Sequence, residues 1–372
     1  MNFEKTLEMS KTPEIMPMPE IKTEVNQGYF WYTFLQKAVN PDWEQFNNEH
    51  QFSKELQVYF EKSPIDSGIT QKWNNIVSKI DNYETLFWFS LACYNPELES
   101  GVLEDCEKCK NLDQEKAKHL FNEFQAVLAE FREKNPGVWN LLEPYLNEDL
   151  EKRKNFNEES IVQDAIDYFR PYKKTSDIQE VNYLPTNFLI KETKGSGFCT
   201  KNTGIVLSHF KNLSSKRHEF LHFIINPITE KVDLTKEQEE KIFQMASENL
   251  VVEQKYGEHP QSLLNENLIR VYCALKENKK PVSLGEFEQY VVGLSEQEFE
   301  HLKNENAEEF EKIGIHTLQD LKDKIQEVYA NKVRNILGEK IYNLYLDFEN
   351  KKKDNPNLTF EDYFLENYTL IF

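Results

Sequence analysis

The chain has 372 residues, with 64 Asp and Glu against 44 Lys and Arg, for a formal net charge of −20. That balance excludes nucleic acid as the expected partner, because phosphate binding needs clustered Lys and Arg, and it argues against an anionic membrane surface. No run of about 18 apolar residues marks a transmembrane helix. The opening Met1 to Ser10 lacks the apolar core of a signal peptide, so the expected compartment is cytoplasmic.

The length suits two or three domains' worth of core or one large helical body. Residues 1–25 are polar, with Pro13, Pro17 and Pro19, and read as a disordered N-terminal segment. Residues 26–175 read as a helical domain. Trp31, Phe34 and Leu35, then Leu56, Tyr59 and Phe60, then Leu86, Phe87, Phe89 and Leu91 recur at mostly helical spacings. Phe121, Phe124, Val127, Leu128 and Phe131 make a further amphipathic stripe. These aromatics are core positions. Asn95-Pro96 and Pro136-Gly137 mark loops. Cys106 and Cys109 form a C-x-x-C, but no second pair or nearby His completes a zinc knuckle, so they read as structural or incidental thiols. The cysteine count is five, an odd number that fits reduced thiols.

Residues 176–372 change character. Glu180 to Ile190 and Gly204 to Phe210 are rich in β-branched and aromatic residues and read as strands, with Lys194-Gly195-Ser196-Gly197 as a turn between them. His209 reads as a polar strand residue. Leu213, Ser214 and Ser215 then offer a Ser N-cap to a short apolar helix. Phe223, Ile224 and Ile225 continue its apolar run, and Asn226-Pro227 is expected to end it, because the residue before proline disfavours helical backbone. After Lys279-Lys280-Pro281 the pattern returns to helices, through Phe287, Tyr290 and Val291 and later Ile325, Val328, Val333, Ile336, Ile341, Leu344 and Phe348. There is no internal repeat.

The central helix carries His218-Glu219-Phe220-Leu221-His222, an H-E-x-x-H motif. Helical positions i and i+4 lie one above the other, so two imidazoles can close on one metal ion. Glu219 then sits beside the metal's open side, where it can take a proton from water. A catalytic zinc site needs a third protein ligand. In zinc metallopeptidases of the gluzincin type, which the chain resembles through this motif, the third ligand is a Glu on a later helix, and Glu248 and Glu266 both lie downstream in segments of helical period. Leu263, Leu264, Leu268, Val271, Tyr272 and Leu275 form an apolar stripe that would bury the helix of Glu266, which favours that residue.

Over about residues 180–280 the chain resembles zinc metallopeptidases of the gluzincin type, mainly through H-E-F-L-H, and Asn265 to Arg270 resembles the N-E-x-L-I-R run of some H-E-x-x-H proteins. The resemblance implies an α+β, predominantly helical protein with a zincin-like core, a small β-sheet lying beside the motif helix. It implies a Zn²⁺ site of His218, His222 and a Glu on a later helix, Glu266 or Glu248. It implies hydrolysis of a peptide or protein substrate, an extended peptide held on an edge strand, with Glu219 as the catalytic general base. A Tyr or His often steadies the oxyanion in such enzymes, and Tyr256, His259 and Tyr272 are the candidates.

The chain also departs from the pattern. Lys216 stands two residues before His218, where an uncharged residue is usual. Ile225 and Ile228 occupy the positions where a metzincin carries Gly and His. No Asp follows either Glu at four residues, where Val252 and Arg270 stand instead. The alternative reading is a helical interaction protein whose zinc site is structural or inactive. A third is a zinc hydrolase acting on a non-peptide amide.

Overall fold

The computed structural model describes residues 14–43, 47–80, 83–94, 99, 114–186, 188–189, 195–200, 202–209, 212–247, 259–277, 284–305, 307–325 and 338–372. The protein is mostly helical with one four-stranded mixed sheet, an α+β arrangement. Packing divides it into two units. The first comprises Met1–Asp167 and Tyr172–Phe223, the second Tyr168–Pro171 and Ile224–Phe372. The division drawn from sequence at 175/176 differs from this one, because the sheet packs with the N-terminal helices.

The first unit holds α1 (Gln27–Val39), α2 (Gln51–Lys62), α3 (Ser67–Val77), α4 (Tyr83–Ala92), α5 (Gln114–Lys134), α6 (Gly137–Arg153) and most of α7 (Glu158–Phe169). α1 starts where the Asn26 side chain accepts from Tyr29 N at 2.8 Å, a standard cap for an orphan amide. It is buried continuously from Gly28 to Lys37 and forms the axis of this core. Phe30 and Trp31 stack on Phe188 and Trp139, and Phe34 meets Phe52 at a tilt, with ring centroids at the separations usual for aromatic pairs.

The strands are β1 (Glu20–Lys22), β2 (Glu180–Leu184), β3 (Gly195–Thr200) and β4 (Thr203–Ser208), in the spatial order β1-β2-β4-β3. β1, β2 and β4 run parallel, with Ile21 opposite Val181 and Val181 opposite Gly204. β3 is antiparallel to β4 and forms one edge. Three sequence expectations are corrected here. The segment 1–25 is not wholly disordered: Ile15 bridges Tyr172, Met16 is buried, and Glu20–Lys22 is a strand whose Lys22 donates to Glu180 at 2.6 Å. Gly195 to Gly197 are strand rather than turn. The strand expected over 180–190 stops at Leu184.

Side chains alternate across a strand, and the two faces of the sheet do different work. Phe198, Ile205 and Leu207 face the helical core, where the Phe198 ring stacks on Phe87 with centroids 4.0 Å apart. Gly197 and Gly204 lie on the opposite face, under α8 (Leu213–Thr229), which carries the H-E-x-x-H motif.

The second unit contains α9 (Lys236–Ser247), α10 (Pro260–Lys276), α11 (Leu284–Gly293), α12 (Glu296–Glu305), α13 (Ala307–Lys312), α14 (Leu318–Asp323), α15 (Gly338–Asp354) and α16 (Phe360–Asn367). Pro260 stands in the first turn of α10, where its missing N–H costs nothing. α10 packs along α15, and its Tyr272 meets Tyr168, Phe169 and Tyr345 in an aromatic core. The Tyr345 hydroxyl donates to Leu268 O at 3.0 Å, so this polar group is satisfied inside the core. A smaller core gathers Val291, Phe299, Phe310, Ile315 and Leu321. Among the described residues, no helix is long and apolar enough to cross a membrane.

Candidate metal centre

The motif helix α8 is defined by its ends. Asn212 caps it, its side chain accepting from Ser215 N at 2.8 Å, so the cap is Asn212 rather than the Ser expected from sequence. At the other end α8 runs through Pro227 to Thr229 instead of stopping at Asn226. Proline lacks the N–H that would bond the carbonyl of Phe223 four residues earlier. That carbonyl accepts instead from the buried Ser176 hydroxyl at 2.7 Å. The bond that proline removes is thereby replaced, and the helix continues.

The sheet seats α8 closely. A Cβ on Gly197 would lie 2.7 Å from the carbonyl oxygen of Glu219, and one on Gly204 would lie 2.5 Å from the Phe223 ring. At Gly197, where the neighbour is backbone, only glycine admits the helix at that distance. The apolar side of α8 is fully covered, with Phe220, Leu221, Ile224, Ile225 and Ile228 at 0% exposure.

The helical repeat brings the two imidazoles together as expected. Their Nε2 atoms are 3.3 Å apart and the ring centroids 5.0 Å apart, at 79° between planes. Two ring nitrogens at that separation either share one proton or aim their lone pairs at a common point. Glu219, between them in sequence, is buried at 9% exposure. Lys216, on the far side of the helix, is fully buried. Burial draws its ammonium below the usual lysine range, while Glu158 acts in the opposite sense.

Glu266 lies on α10, 8% exposed. Arg270, one turn later, donates from Nε to its carboxylate at 3.0 Å. This charge-assisted bond fixes the carboxylate rotamer. The i+4 position that carries no Asp thus carries a cation that orients the same group. α10 is itself tied to the last turn of the motif helix: Thr229 Oγ1 bonds Asn265 Oδ1, and Gln261 donates to Thr229 O. Among the described residues, His218, His222 and Glu266 are a group whose side-chain types could hold a metal ion. Two nitrogens and a carboxylate oxygen are a donor set suited to Zn²⁺.

The other candidates fare differently. Glu248, the alternative third ligand, Tyr256, and the Cys106–Cys109 pair lie outside the described residues. Tyr272 is corrected as an oxyanion candidate: its ring is fully buried in the aromatic core, 4.7 Å from Phe169. His259 is exposed just ahead of α10 and makes no capping bond. His209 is half-buried just past β4. Sequence reasoning passed over Asn212, Ser176 and Arg270. Each had a local signal, an Asx before a helix, a hydroxyl residue and an i+4 cation, but only the fold gives the partner.

No protein-family model matches the chain, and neither a curated protein nor a solved structure matches it.

Proposed function

We propose that the protein is a zinc-dependent metallopeptidase with a zincin-like core. In this reading His218, His222 and Glu266 hold Zn²⁺ and Glu219 is the general base. The observation that carries it is the pair of imidazole nitrogens 3.3 Å apart on one helix, with the buried Glu219 between them in sequence. Bound there, zinc would lower the pKa of a water molecule towards about 7 and polarise a carbonyl.

The chain's own residues supply the rest. Glu219 would accept the proton of the attacking water and deliver it to the departing amine, a transfer worth about 100- to 10,000-fold in rate. Arg270 holds Glu266 in one rotamer, the outer-sphere support that ligating carboxylates generally receive. β3 is an edge strand seated against the motif helix, which suits an extended peptide held by main-chain hydrogen bonds. The substrate is accordingly a peptide or a protein.

The test is metal content followed by proteolysis. The purified chain should carry about one zinc, because two imidazoles and a carboxylate complete a three-ligand site. His222→Ala should remove it. Glu219→Gln should keep the zinc and lose hydrolysis of a casein or peptide-library substrate, because an amide cannot accept the proton. Zinc retained in full by His222→Ala would overturn the site. Zinc without hydrolysis in the unsubstituted chain would favour an interaction protein with a structural metal.

A further inference from the structure

Lys216 stands two residues before His218, where a charge is unexpected, and its surroundings account for it. The ammonium has no exposed surface and pairs with Glu158 at the start of α7. It lies 5.4 Å from the Phe156 ring centroid and 5.7 Å from that of Tyr183 on β2. Glu158 also lies 3.6 Å from the Arg153 guanidinium. Arg153 in turn donates to Asp149 at 3.2 Å and to the carbonyl of Ser208, the last residue of β4, at 3.0 Å. The side chains of Asp149 and Arg153 are 2% exposed and that of Glu158 is 7% exposed. Two cations and two anions thus close a buried network joining α6, α7, β4 and the first turn of α8.

We propose that Lys216 is a positioning residue for the zinc site, fixing the rotation of the motif helix about its own axis. The inference rests on the zinc reading above. At about 100° per residue, Lys216 projects roughly 140° from the common direction of His218 and His222. Turning the imidazoles away from a shared metal would drag the ammonium off a buried carboxylate. That leaves two uncompensated charges in a low-dielectric interior, which is strongly opposed. The apolar contacts of α8 are non-directional and resist such a turn less. The network therefore supplies the directional restraint, holding the helix from the side opposite the ligands.

The experiment separates fold from aim. Lys216→Met alone strands Glu158 and should lower the thermal midpoint. Lys216→Met with Glu158→Gln removes both charges, leaves the Arg153–Asp149 pair balanced, and should return the midpoint towards that of the unsubstituted chain. Zinc affinity of this double variant, measured by chelator competition, should nevertheless fall about 10- to 100-fold, the loss typical of outer-sphere partners. Glu158→Asp, which keeps every charge but shortens the reach, guards against a double variant that fails to fold. It should lose zinc affinity in the same sense and to a smaller extent. Unchanged zinc affinity in a folded double variant, or in Glu158→Asp should the double variant fail to fold, would overturn the positioning role while the zinc site stands. An unsubstituted chain that binds no zinc would remove the site and the positioning role together.

Discussion

His50 caps α2 with an imidazole, its Nδ1 accepting from Phe52 N at 3.2 Å. Burial depresses its pKa below the usual histidine value, with Glu148 opposing that shift, Lys152 adding to it and Glu55 opposing it. Protonation would remove the acceptor and place a positive charge at a helix N-terminus, where it is unfavourable. The folded state binds its proton less readily than the unfolded chain. The contribution is therefore present in full above about pH 6.5 and lost as the pH falls below it. His50→Asn keeps a cap that does not titrate. The thermal midpoint of the natural chain should drop relative to this variant between about pH 7 and pH 5, the loss of a cap being worth roughly 1 kcal/mol. Parallel pH profiles would show that the imidazole does not titrate as a cap. At this scale the sequence is readable where one helical period fixes geometry, as it does for His218 and His222. It is silent on Glu158 and Lys216, 58 residues apart, because no periodicity links them.

Among elements, the strands were the hardest to read. β3 opens Gly195-Ser196-Gly197, residues with poor strand propensity, and they are in the sheet because the motif helix must approach closely there. β1 has three residues, too few for an alternating pattern. The helix running through Pro227 was hidden for another reason: its compensation comes from Ser176, remote in sequence. The glycines give a graded test. A methyl at Gly197 meets the backbone oxygen of Glu219, which cannot step aside without moving the helix, whereas one at Gly204 meets the Phe223 ring, which can turn. Gly197→Ala should cost about 1–3 kcal/mol, as overpacking of a closed interface does, and should also weaken zinc binding. Gly204→Ala should cost less and leave the proposed zinc affinity nearly unchanged. Calorimetry and chelator competition on both variants measure this, and a reversed ranking would mean that α8 is not seated on Gly197.

At the scale of the whole molecule, long apolar-periodic segments announced most of the helices, and the balance of helix over sheet followed from them. The division into units did not, because it falls within the motif helix and depends on which faces pack. β1 bears on this scale. Removing residues 1–24 would delete the strand, the Lys22–Glu180 ion pair and the buried Met16. The shortened chain should unfold faster, with lower hydrogen-exchange protection in β2, while its refolding rate changes little, since contacts made late in folding mainly govern unfolding. A marked slowing of refolding would place β1 in the folding nucleus instead.

The same strand sets an order of events during synthesis. Lys22 and Glu180 are 158 residues apart. At about 5–20 residues per second, β1 leaves the ribosome roughly 8–30 seconds before β2 exists to receive it. Helices α1 to α7 are completed in that interval from contacts made largely within 26–175. The sheet therefore assembles after α1 to α7, and the motif helix, which needs the sheet beneath it, is seated later still. Any metal chemistry becomes available only once the chain is beyond the point at which its earliest strand has been recaptured.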